Sequence, residues 1–98
     1  MIRLSIDLET YSSVDIKKSG AYAYVRAPDF EIMLAAYSIN GGPVQILDFT
    51  QPDFKMGMDL LYSLLISPNI QKCAYSATFE WLCLSKYFGQ ELPLTGWV

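Results

Sequence analysis

The sequence predicts an α/β fold with a mixed sheet, an antiparallel meander followed by parallel strands joined through helices. Three observations carry this reading. Residues 2–8 alternate apolar and polar. Two apolar runs, 31–39 and 43–49, flank Asn40-Gly41-Gly42. A helix, a short strand and a second helix then follow in alternation. The order is β-β-β-α-β-α, with a further strand starting at Trp97-Val98. Residues 1–98 read as part of a single domain, with no repeat, linker or low-complexity segment.

In the first strand, Ile2, Leu4, Ile6 and Leu8 fall on one face and Arg3, Ser5, Asp7 and Glu9 on the other. Thr10 to Asp29 shows no clean periodicity and reads as a long irregular connection, of the kind that often carries function. The runs at 31–39 and 43–49 form a hairpin, because Asn40-Gly41-Gly42 tolerates positive φ in a tight turn. Pro52 to Ser67 is a helix with Met58, Leu61 and Leu65 on one stripe and Leu64 beside it. Thr50 or Asp53 would cap it, and Ser67-Pro68 would stop it. Residues 69–75 are a short strand. Ser76 then caps a helix that runs to Phe88 and closes at Gly89.

Composition narrows the function. The chain has 98 residues, 52% of them hydrophobic and 17% charged, so it should fold. Its formal charge of −3 lacks the basic excess of a stand-alone nucleic-acid binder and suits a site that gathers cations. With no histidine, Ser-His-Asp and Cys-His catalysis are excluded within this chain. Cys73 and Cys83 lack zinc-site spacing and read as reduced core thiols of a cytoplasmic protein. The four methionines read as core fillers. Arg3 and Asp7 interrupt the first apolar run, which argues against a signal peptide, and no run is long enough to span a membrane.

Carboxylates are the chemistry-bearing groups. Asp7 and Glu9, two apart on a strand, share a face near its C-terminal end, where open α/β sheets bind ligands. Arg3 and Ser5 on that face fit a merely solvated strand equally well. Glu80 lies within the first turn of the last helix, in the middle of its apolar face with Leu84 and Cys83 to either side. Thr78, Ser85 and Lys86 form the polar arc roughly opposite. An inward carboxylate must be paired, hydrogen-bonded or bound to metal, although free N–H groups and the helix dipole offer an alternative. If the strand before this helix lies parallel to the first, Glu80 arrives near Asp7 and Glu9. Converging carboxylates without a histidine or clustered lysine call for hard divalent ions, Mg²⁺ or Mn²⁺. Two such ions ~3.5–4 Å apart are a standard device of phosphodiester hydrolysis.

"IDLET" (6–10) resembles the first motif, Asp-x-Glu-Thr, of the DEDD 3′→5′ exonuclease superfamily, which has the ribonuclease-H-like fold. "CAYSATFEWLCL" (73–84) resembles its second motif, usually His-Asn-x-x-Phe-Asp. "SGAYAYVRAPDFEIMLAAYSINGGPVQIL" (19–47) is similar to the region between these motifs in proofreading domains of phage-type family A DNA polymerases. The resemblance implies that Asp7, Glu9 and Glu80 are catalytic metal ligands for two Mg²⁺ or Mn²⁺ ions, with Asp7 bridging both. It implies that Leu8 and Thr10 touch the terminal nucleotide and that Phe79 is a core aromatic. Tyr75-Ser76 stands where His-Asn is usual. The family's third motif, a Tyr or His followed by a last Asp, has no counterpart by Val98. The implied protein is a longer polymerase, with this chain the N-terminal part of its exonuclease domain, truncated before the last helix and weak or inactive alone. Its expected partners are the 3′ end of single-stranded DNA and the rest of the polymerase, in the cytoplasm of a phage host.

Other readings fit some of the same residues. The alternative to the exonuclease reading is a degenerate exonuclease fold kept as a structural or DNA-holding module of a larger polymerase. Lys17, Lys18 and Arg26, interleaved with Tyr11, Tyr22 and Tyr24, either hold single-stranded DNA or form a surface loop with its tyrosines folded back. A phosphatase of the Asp-x-Asp-x-Thr type is disfavoured, because Glu9 stands where its second Asp is needed.

Overall fold

In the computed structural model, which describes residues 2–97, the elements run β1 (Ile2–Tyr11), α1 (Ile16–Arg26), β2 (Glu31–Ile39), β3 (Gln45–Asp48), α2 (Phe54–Ile66), β4 (Ile70–Cys73) and α3 (Ala77–Phe88). The sheet order is β3-β2-β1-β4. β1, β2 and β3 form the antiparallel meander, and β4 joins β1 in parallel, Leu4 opposite Lys72 and Ser5 opposite Cys73. The mixed sheet expected from the sequence is the one observed, and its arrangement is compatible with a ribonuclease-H-like fold.

Period-two alternation decides what the sheet buries. Leu4, Ile6 and Leu8 of β1 and Ala35 and Tyr37 of β2 face the core, where they meet Met58, Leu61 and Leu65 of α2 and Cys83 and Leu84 of α3. Each fully buried aliphatic side chain contributes roughly 1.5–3 kcal/mol. The Asn40 turn forms as expected: Asn40 and Gly41 both have positive φ, and the Gly42 N–H donates to the Ile39 carbonyl at 2.9 Å. Asn40 also closes the β1–β2 ladder, accepting from the Arg3 N–H at 2.8 Å through its side chain.

The connection after β1 departs from expectation, since residues 16–26 form a helix. Asp15 caps it, its carboxylate accepting from the Lys17 N–H at 2.9 Å. Gly20, at φ 85° and ψ 168°, breaks it into two short pieces. A side chain is strained in that backbone region. The only fully buried residue of α1 is Val25, so no apolar stripe announces the helix. Its tyrosines divide. Tyr24 folds inward against Phe30 and Phe79, with ring centroids 6.0 and 5.8 Å away, while Tyr22 stays exposed.

Four local details differ from expectation. Neither Thr50 nor Asp53 caps α2 with its side chain; Asp48 instead accepts from the Thr50 N–H and hydroxyl at 2.9 and 2.7 Å. Ser76 lacks a side-chain cap bond as well. Of the methionines, Met58 fills the core, whereas Met33 and Met56 are exposed. Both cysteines are free, but only Cys83 is fully buried.

After Gly89 closes α3, the chain turns back along the sheet. The Lys72 N–H donates to the Gly96 carbonyl at 2.7 Å, and Trp97 makes a parallel bridge to Lys72. An isolated bridge thus lies beside β4 where a strand was expected to begin, and Val98 lies outside the described residues. Lys72 is wholly buried in this corner. Its ammonium donates to the Ser67 carbonyl at 2.6 Å and to the Thr95 carbonyl at 3.0 Å, tying the end of α2 to the returning segment. Burial pushes its pKa below the ordinary lysine value. Gly96 is required here, because a Cβ would collide with the Ile70 carbonyl oxygen.

Candidate functional site

The site forms where β1 outruns its parallel neighbour. β4 pairs with β1 only as far as Ser5, so Asp7 and Glu9 lie beyond that ladder. Both are exposed, on the face opposite the core row of Leu4, Ile6 and Leu8. Directly after Glu9 the β1–β2 register shifts. Glu9 pairs with Leu34 and Thr10 with Ile32, which leaves Met33 as the extra residue of a bulge. Bulges bend a strand and re-aim its side chains, often beside active sites. The Met33 carbonyl is taken up by the Phe49 N–H at 3.2 Å.

α3 supplies the third carboxylate. Glu80 sits in its first turn and is 5% exposed, and its Oε2 is buried without a hydrogen-bond partner. An unpartnered buried carboxylate oxygen is costly. Burial, and after it the negative charge of Asp7, push the Glu80 pKa from the ordinary 4.5 up to about 7. Glu80 in turn acts on Cys83, whose thiol is pushed up to about 12, first by burial and then by the Glu80 charge. Cys83 is therefore an inert thiol rather than a nucleophile.

The charge of Asp7 is thus felt at Glu80, second to burial. Glu9 shares the Asp7 face, yet among the described residues no three His, Cys, Asp or Glu side chains form a ready metal-binding group. The Leu8 side chain belongs to the core, and the Thr10 hydroxyl pairs with the Tyr24 hydroxyl at 3.0 Å. Phe79 is partly buried against the core, as expected for a packing aromatic. Tyr75 is fully exposed. The donor set suits a hard cation: carboxylate oxygens are the ligands Mg²⁺ and Mn²⁺ prefer, and Glu80 Oε2 is engaged by no protein donor.

Two local devices on α3 escape its sequence pattern. The helical wheel puts Ser85 on the polar arc, but the residue is buried, its hydroxyl accepting from the Leu92 N–H at 3.1 Å. The Trp81 indole N–H donates to the Leu92 carbonyl at 2.9 Å. The returning chain covers that side of the helix, which no local pattern shows. No helix among the described residues is long and apolar enough to cross a membrane.

No family model matches the chain. It is 46% identical over 97 residues to a protein named DNA polymerase from Bacillus phage SP02, a match covering 99% of this chain. The chain spans only 15% of that relative's length. Along nearly its whole length, then, this chain is similar to one segment of a phage DNA polymerase.

Proposed function

We infer that this chain belongs to a two-metal-ion 3′→5′ exonuclease domain that proofreads for a DNA polymerase. One observation carries the reading: the Glu80 carboxylate is buried with an unpartnered oxygen, and the negative charge of Asp7 adds to burial in raising its pKa. The similarity to a phage DNA polymerase supports a DNA 3′ end as the substrate. Asp7, Glu9 and Glu80 would hold Mg²⁺ or Mn²⁺. When bound, such ions supply a hydroxide at neutral pH and stabilise the attacking and leaving oxygens of a phosphodiester. The chain's own residues provide the negative charge, fix Thr10 through Tyr24, and support β1 with the Leu4, Ile6 and Leu8 row.

Calorimetric titration with Mn²⁺ tests the reading. The wild-type chain should bind, and Asp7→Ala should weaken binding at least ~10-fold, a loss of about 1.4 kcal/mol. No binding by the wild type, or equal binding by both, counts against it. A second reading, a degenerate module that holds DNA without cutting it, is favoured by the lack of a ready three-ligand group among the described residues. It predicts DNA binding that is indifferent to Mn²⁺.

A further inference from the structure

A cleft of about 400 Å³ lies between α1 and α3, lined by Tyr22 and Arg26 on one side and Trp81, Ser85 and Lys86 on the other. Its volume is within the ~300–1,000 Å³ range of small-molecule sites. At 100° per residue, the α3 residues that line it point away from the side bearing Glu80. The cleft is therefore separate from the carboxylate site.

We propose that this cleft binds one nucleotide unit, its base against the Tyr22 and Trp81 rings and its phosphate between Arg26 and Lys86. The Arg26 guanidinium lies 5.5 Å from the Tyr22 ring centroid, so a cation and an aromatic surface are presented together. Tyr22 is 63% exposed, an aromatic ring left open to solvent. The opposite wall is held firmly. The Trp81 indole is tied to Leu92, Ser85 receives the Leu92 N–H, and the Gly89 and Gln90 N–H groups close the helix on the Lys86 and Ser85 carbonyls at 3.2 and 3.1 Å. Glu91 also lines the cleft, so its local charge is Arg26 and Lys86 against one acid. That balance admits a single phosphate in a chain whose net charge is −3. Stacking on an aromatic ring contributes ~1–3 kcal/mol per base.

The unit arrives either as a free nucleoside monophosphate or as one link of a single strand, and the test separates these. The chain is titrated in EDTA at low salt with 2′-deoxyadenosine 5′-monophosphate, a four-residue oligodeoxyadenylate and inorganic phosphate, following amide shifts by NMR. EDTA removes divalent ions, so the outcome is independent of the carboxylate site. Shifts at Trp81, Ser85 and Gly89 with the monophosphate, weakened at least ~5-fold in Arg26→Gln and Lys86→Gln but not in Lys55→Gln, support the proposal. Tighter binding of the oligomer identifies a strand as the source, and tighter binding of the monophosphate a free nucleotide. Inorganic phosphate binding as well as the monophosphate overturns the proposal. So does an absence of shifts, or equal binding by Lys86→Gln.

Discussion

Without divalent cations, the stability of this chain should fall as pH rises from about 4.5 to about 7. Below 4.5 Glu80 is protonated in both folded and unfolded chains and contributes nothing to the difference. Above that, the unfolded chain releases the proton while the folded chain retains it, so the folded state is progressively penalised until the folded pKa near 7 is passed. At about 1.4 kcal/mol per pH unit, the full penalty is roughly 3 kcal/mol. Glu80→Gln should flatten this slope and stabilise the metal-free chain at pH 8 by a similar amount. Urea unfolding from pH 4 to 8 measures both. Asp29 and Asp48 do not blur the window. Their pKa values are lowered by bonds from Ser13 and Thr50, so their contributions are lost only as pH falls below the ordinary carboxylate range. A stability that rises between pH 4.5 and 7, or a slope that survives Glu80→Gln, contradicts the assignment.

The second large effect concerns activity in the longer polypeptide that the proposed function requires. There, Asp7→Ala should lower 3′→5′ hydrolysis of single-stranded DNA by ~10³-fold, about 4 kcal/mol of transition-state stabilisation. Nucleotide incorporation should remain, because the proposed function assigns Asp7 to hydrolysis and not to synthesis. Hydrolysis counted as released nucleotide from a 3′-labelled strand separates the two activities. Equal hydrolysis by wild type and variant would remove Asp7 from the catalytic set.

Local chemistry explains which parts of the fold are legible in the sequence. The bounds of β2 at Glu31 and Ile39 are readable, because apolar content ends sharply at the Asn40 turn. The α2 stripe of Met58, Leu61 and Leu65 is visible at helical spacing. The inward position of Glu80 follows from the α3 wheel, and its burial agrees. α1 is illegible because it lies on the surface, fully buries one side chain and breaks at Gly20. Lys72 carries a subtler signal. Alternation from Ile70 places it on the core face of β4, where a lysine demands partners. The carbonyls that satisfy it, from Ser67 and Thr95, come from segments that only the tertiary fold brings together.

If residues from β1 and α3 act on one cation, paramagnetic Mn²⁺ must reach both at once. Mn²⁺ broadens NMR signals of nearby nuclei, so a sub-stoichiometric titration is the direct measurement. Amide signals of Asp7–Glu9 and of Phe79–Trp81 should fade together at the same Mn²⁺ concentration, and Glu80→Gln should protect both groups. Fading confined to one of the two segments, or unchanged in Glu80→Gln, would contradict a shared centre.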